Sequence, residues 1–252
     1  NGGDKMMDIV SGEVLLEGMT FTNGFSSGKS GGAMRVTGAA SATILNSNFH
    51  NNNSGVFGGA IRNYASLTVI NSAFTNNSSD GGGAITTTNA ATILNSTFHG
   101  NYSTDGGSGG GAILATQNLT LTNSTITGNF AANGSAGGLQ VLSGTATVEN
   151  SIIAGNSSTN GSPDVGGPIV SNGHNIFGST ATGAAAGDVT LGAGSTLADV
   201  FETVGTVNVG GGSFEAGIRG NHGGGPRTVA TNAGGIAINA AEAADLPTEQ
   251  DL

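Results

Sequence analysis

ATILNSTFHGN, residues 91–101, begins as a strand of alternating apolar and polar positions and then runs straight into Asn and Ser. The same sentence returns as SATILNSNFHNN at 41–52, LTVINSAFTNN at 67–77, LTLTNSTITGN at 119–129 and ATVENSIIAGN at 146–156. Aligned on the first Asn, the column is Asn46, Asn71, Asn95, Asn123 and Asn150, with spacings of 25, 24, 28 and 27 residues. A degenerate copy from Val14, VLLEGMTFTNG, carries Gly18 in that place. Further on in each repeat stand Phe21, Phe49, Phe74, Phe98, Ile126 and Ile153, then a second polar column of Asn52, Asn77, Asn101, Asn129 and Asn156. Each repeat closes on a glycine pair and a small apolar step: GGAM at 31, GGAI at 58, 82 and 110, GGLQ at 137 and GGPI at 166. Insertions such as the one in GNYSTDGGSGGG fall just before the glycines, where a loop lengthens without disturbing a stacked strand.

A period in the twenties is the signature of a solenoid. Strand-sized apolar runs, frequent turns, and the absence of heptads or leucine-rich spacing exclude its helical forms. The expected fold is all-β: a right-handed parallel β-helix of about 25–28 residues per coil. Each coil should hold about three short strands, with coils stacked roughly 4.8 Å apart. Ile44, Val69, Ile93, Leu121 and Val148 then form an inward aliphatic stack. The column Asn46, Asn71, Asn95, Asn123 and Asn150 is expected to be a buried hydrogen-bonded ladder, because stacking supplies each amide with partners. Coils are assigned to residues 1–179, most regular over about 14–170, with a modified coil at 160–179; 180–252 reads as irregular coils and a C-terminal cap. Residues 1–13 and 218–252 are the cap candidates.

Composition agrees with thin aliphatic layers: 252 residues with 47 Gly, no Cys, no Trp and 9% charged residues. Without Cys there is neither a disulfide framework nor a thiolate metal site. A net charge of −10 repels nucleic acid and anionic lipid, so no nucleic-acid partner is expected. No run of eighteen apolar residues exists, so no membrane insertion is expected in this segment. The opening NGGDKMMD has neither a basic nor an apolar signal region, and the chain reads as an excised piece of a longer polypeptide.

The N-S-x-[FI]-x-x-N and GG-[AG]-I pattern resembles the β-helix repeats of polymorphic outer-membrane proteins and of large secreted bacterial adhesin-like proteins. SPDVGGPIVSNGHNIFGS, LADVF, NHGGGPRTVA and LPTEQDL, in that order, are similar to bacterial surface proteins with a choice-of-anchor β-helix domain. PRTVATNAGG departs from the family's usual stretch after the glycines. The resemblance implies export, an extracellular or cell-surface location, and glycans or cell-surface components as partners. It carries no agreed catalytic set, and the ending at Asp251 and Leu252 falls short of where such proteins usually stop.

Parallel β-helices also include pectate lyases, polygalacturonases and alginate epimerases, whose chemistry needs clustered carboxylates on one outward strand face. Between residues 18 and 148 the only acids are Asp80 and Asp105, both in glycine-rich loops. They occupy comparable places in neighbouring repeats and, with loop carbonyls, form a candidate calcium site as the sole cofactor expectation. Arg35 and Arg62 follow the glycine step in adjacent repeats and should share one outward column. Screening by Glu13 or Glu17 is one reading and docking of an anionic glycan the other. His50 and His99 share an outward column with Thr75 between them, too far apart for a shared metal. Thr43, Thr68, Thr92, Thr120 and Thr147 form a threonine file of the kind found on ice-binding β-helices. The adjoining file of Leu45, Ile70, Leu94, Thr122 and Glu149 does not match it. The reading is a non-catalytic extracellular stalk or adhesin module that can also associate end to end. The alternatives are a polysaccharide lyase or epimerase, an anionic-glycan-binding module and, remotely, ice binding.

Overall fold

The computed structural model describes residues 5–104, 109–134, 136–192 and 196–217. The chain winds as a parallel β-solenoid of about six turns with almost no helix. One coil shows the path. After the glycine pair come Ile61–Asn63, a corner, Ser66–Ile70, a turn at Asn71, Ala73–Thr75, a turn at Asn76, and Ser78–Ser79. The next coil repeats this in parallel register: Ile85–Thr87, Ala91–Leu94, Thr97–His99 and Tyr102–Ser103. A coil thus has four short strands rather than the three expected from sequence. The extra one spans only two residues, too short for an alternating pattern to reveal. In the opening coils the first two faces merge, and Met7–Glu17 and Met34–Leu45 each run across both. Residues 7–13, within the N-terminal cap candidate, are strand: Met7 and Ile9 continue the inward columns of Met34 and Val36. Residues 218–252 lie outside the described residues.

Three apolar columns fill the interior. Ile44, Val69, Ile93, Leu121 and Val148 are in register and fully buried, as are Met34, Ile61, Ile85, Ile113 and Leu139 on the neighbouring face. Phe21, Phe49, Phe74 and Phe98 stack with ring centroids 4.8 Å apart, one coil spacing, and tilts of 11°, 4° and 5°. Each fully buried Phe contributes about 2–3 kcal/mol of transfer free energy.

The polar interior differs from the sequence reading. An asparagine ladder exists, but its buried members are Asn52, Asn77, Asn101, Asn129 and Asn156. Each of the first four donates from Nδ2 to Oδ1 of the next, over 2.8–2.9 Å, and sends its backbone N–H to the same oxygen. Gly24 N–H donates into Asn52 Oδ1 at the first coil. Asn46, Asn71, Asn95, Asn123 and Asn150 are turn residues with φ between 46° and 51°, and the first four are exposed. Asn is chosen there because, of the residues with a Cβ, it adopts this left-handed conformation most readily. Asn150 Nδ2 still reaches Asn123 Oδ1 at 2.7 Å on the surface. The residue after each, Ser47, Ser72, Ser96, Ser124 and Ser151, forms a second buried ladder. In it each backbone N–H donates to the next coil's hydroxyl, and the last donates to Asn175 Oδ1.

The closing glycines are required by backbone packing. A Cβ on Gly83 would sit 2.2 Å from the carbonyl oxygen of Gly111, while Gly82 before it has φ +69°. The pair at 166–167 departs from this role. Val165 pairs with Leu139, so Asp164 stands where Gly138 stood, and Gly166–Gly167 lead into Ile169–Ser171 on the next face. The expected modified coil at 160–179 is present, ending in Ile176–Phe177, with Val189–Thr190 added in parallel. The chain then leaves the helical path. A single 3-10 turn, Leu197–Asp199, and an antiparallel hairpin, Val204–Val209 with Gly212–Gly217, fold back along the outside. Ala154, Ile176, Val200 and Phe201 form a small second core that fixes the segment there.

Candidate functional site

The outward column beside the closing glycines runs Asp8, Arg35, Arg62, Thr86, Leu114, Gln140 and Gly166. Arg35 and Arg62 are strand neighbours, as the repeat implies, but their surroundings differ. Arg35 forks onto Asp8, with Nε to Oδ1 at 2.8 Å and Nη2 to Oδ2 at 3.1 Å. Its counterion is thus the residue directly across the sheet, not Glu13 or Glu17. Lys5 Nζ reaches the same carboxylate at 3.2 Å.

Arg62 is only 7% exposed. Its guanidinium lies between two rings, 4.9 Å from the centroid of Phe57 and 4.4 Å from that of Tyr64. The glycine-rich loop before its strand carries Phe57 over Gly81, and the corner after the strand carries Tyr64, which is 41% exposed. Nε is buried without an acceptor, and no carboxylate meets the guanidinium among the described residues.

Asp80 is exposed and accepts a hydrogen bond from Thr104 Oγ1 at 2.7 Å. Asp105, its partner in the calcium expectation, lies outside the described residues. Among the described residues no three His, Asp or Glu side chains gather closely enough to hold a metal. His50, Thr75 and His99 are in register, and His50 Nδ1 bonds Thr75 Oγ1 at 2.9 Å, which uses the intervening position. The threonine file from Thr43 to Thr147 is in register on adjacent coils, flanked by the apolar and acidic file that starts at Leu45.

Sequence reasoning overlooked two acids, of which the first is Asp164. It is buried, and its Oδ1 accepts both the backbone N–H and Nδ2 of Asn156 at 3.0 Å. Burial raises its pKa to about 6, against the lowering effect of the Asn156 and Ser179 hydrogen bonds. It borders a cleft of about 410 Å³ shared with Pro163, Gly178 and Leu197. Asp188 ends the serine ladder in the same way, accepting from Asn175 N–H at 2.9 Å and Nδ2 at 3.1 Å. Both ladders point their donors toward the last coils, and both finish on a carboxylate. The two aspartates are recognisable only once those donor chains are traced, because each replaces the residue type that its column repeats: Asp164 stands opposite Gly138, and Asp188 opposite Asn175 and Ser151.

These features define a parallel β-helix whose polar residues are largely spent on its own stacking. Residues 1–153 match the family model described as right handed beta helix region, and the chain belongs to that family. No match was found among curated proteins or among solved structures.

Proposed function

We propose that this chain is a non-catalytic, stiff spacer or adhesive module of a bacterial cell-surface or secreted protein. The observation that carries the reading is the pair of buried ladders, Asn52 to Asp164 and Ser47 to Asp188, which tie each coil to the next without a break. Bending such a stack breaks several buried hydrogen bonds at once, each costly to leave unmade. The choice-of-anchor and outer-membrane-protein resemblance supplies the extracellular setting, and glycans or cell-surface components are the proposed partners. The acids support a scaffold: Asp8 pairs with Arg35 and Lys5, and Asp164 and Asp188 accept from ladder ends. Asp164 favours the enzymatic alternative, as a raised-pKa acid beside a cleft, yet its oxygens are engaged by Asn156 and Ser179.

The reading is tested by incubating the protein with pectin and alginate, with and without calcium, and following new reducing ends and unsaturated uronates. No product above the level of a heat-denatured control is expected. Turnover that disappears in Asp164→Asn would replace the spacer by a polysaccharide-active enzyme.

A further inference from the structure

The six cationic residues are unevenly placed: between residues 18 and 79 the chain has Lys29, Arg35 and Arg62 and no acid at all. In the fold this stretch lies against Met7–Glu17, which brings Asp8, Glu13 and Glu17 beside it, so it forms no separate cationic surface. Within it Arg35 is neutralised by Asp8. Arg62 is more than nine-tenths buried, lies between two aromatic faces, and among the described residues has an Nε without an acceptor. Ring faces attract a cation, but they accept none of its in-plane N–H hydrogen bonds. A guanidinium so held is oriented in advance, so an incoming oxyanion would pay little ordering cost. The exposed ring of Tyr64 adds a flat apolar surface at the rim.

We propose that Arg62, clamped by Phe57 and Tyr64, is an oxyanion-binding site that takes a carboxylate or sulfate group carried on a sugar ring. The oxyanion meets the guanidinium, and the apolar face of the sugar rests on Tyr64. The site belongs to Arg62 rather than to an Arg35–Arg62 pair, since Asp8 already holds the Arg35 fork. It stands independently of the spacer reading, because a stiff module without this ligand would remain a stiff module.

The chain has two Tyr and no Trp, so in Tyr102→Phe protein tyrosine emission reports Tyr64 alone. That protein is titrated with galacturonate, inorganic sulfate and galactose at constant ionic strength. A saturable change with galacturonate or sulfate, and none with galactose, is expected. The two anions distinguish a carboxylated from a sulfated source. Arg62→Met should weaken the response by about tenfold or more, the loss of a charge-assisted hydrogen bond. Its melting temperature without ligand should be unchanged or higher, because it removes a buried unpaired charge. Arg62→Lys, which keeps the charge without the fork, should retain part of the response. No saturable change with either anion, or an equal response in Arg62→Met, overturns the site. A fall in the melting temperature of Arg62→Met without anion binding to the parent would make the clamp purely structural.

Discussion

Asn95 and Asn101 sit six residues apart in one repeat and do opposite work. Asn101 is fully buried: its Oδ1 accepts from Asn77 N–H and Nδ2, and its own Nδ2 donates to Asn129 Oδ1 and to the carbonyl of Phe74. Asn101→Leu strands donors above and acceptors below, at about 1–3 kcal/mol for each unsatisfied group. Asn95 is exposed with φ 48°, so Asn95→Leu costs only left-handed strain, about 1–2 kcal/mol. Asn95→Gly should be close to neutral. Melting temperatures should therefore fall furthest for Asn101→Leu, less for Asn95→Leu, and hardly at all for Asn95→Gly. Gly18 in the degenerate first repeat, with φ +64°, already carried the signal that this column demands a backbone conformation rather than a side chain.

At the scale of the element, each ladder is a chain of donors all pointing one way, and its last N–H groups need an acceptor. Asp164 provides one, with its pKa raised above the ordinary 3.8 to about 6. An acid whose folded pKa is raised binds its proton more tightly in the folded state. Its contribution is then fullest below pH 4 and is lost as pH rises through 6. The loss is at most roughly 3 kcal/mol, from the two-unit difference at 1.36 kcal/mol per unit. Asp164→Asn keeps an acceptor for Asn156 and removes the charge. Urea unfolding from pH 4 to 7 should show the mutant gaining on the parent as pH rises, most of all above pH 6. A constant difference across that range would mean that Asp164 is not held as a buried acid.

In the whole molecule, the segment from Leu197 to Gly217 is a side-packed flap rather than another coil. Phe201 is 1% exposed in the second core, Phe214 lies 6.0 Å from the Phe130 ring, and Gly217 N–H donates to Thr127 Oγ1 at 3.2 Å. Phe201→Ala should remove about 3–5 kcal/mol from this docking. Hydrogen exchange should then speed up at 204–209 and 212–217 while amides at 97–103 stay protected. A uniform loss of protection would instead make flap and solenoid one cooperative unit. At the other end, Met7–Glu17 has a strand neighbour on one side only among the described residues, and Met6, Val10, Leu15, Met19 and Phe25 are exposed around it. A strand edge of this kind is a template for pairing with a second copy, so the proposed end-to-end association should appear as a concentration-dependent sedimentation coefficient. The double change Val10→Lys and Leu15→Lys should abolish it.

The sequence by itself determined the coil, its period and its register. Repeating the same apolar residues every 24 to 28 positions leaves one way to bury them all, and the columns of Ile44 and Phe49 follow directly. It also displayed the repeating columns of the true ladders, those of Asn52 and Ser47, but did not say which polar column faces inward. That depends on the backbone angle at Asn46 and Asn51, both left-handed, which decides which neighbouring side chain turns into the core. Only the tertiary structure decided the fate of the non-repeating residues. Asp8 meets Arg35 because a bulge between Ile9 and Ser11 leaves Asp8 in register with it. Phe57 and Tyr64 close on Arg62 because a loop and a corner fold outward over the strand. Asp164 becomes a buried terminator because the glycine step has shifted past it. A repeat encodes contacts by recurrence, but single residues in loops and ends acquire partners through chain reversals that leave no period to read.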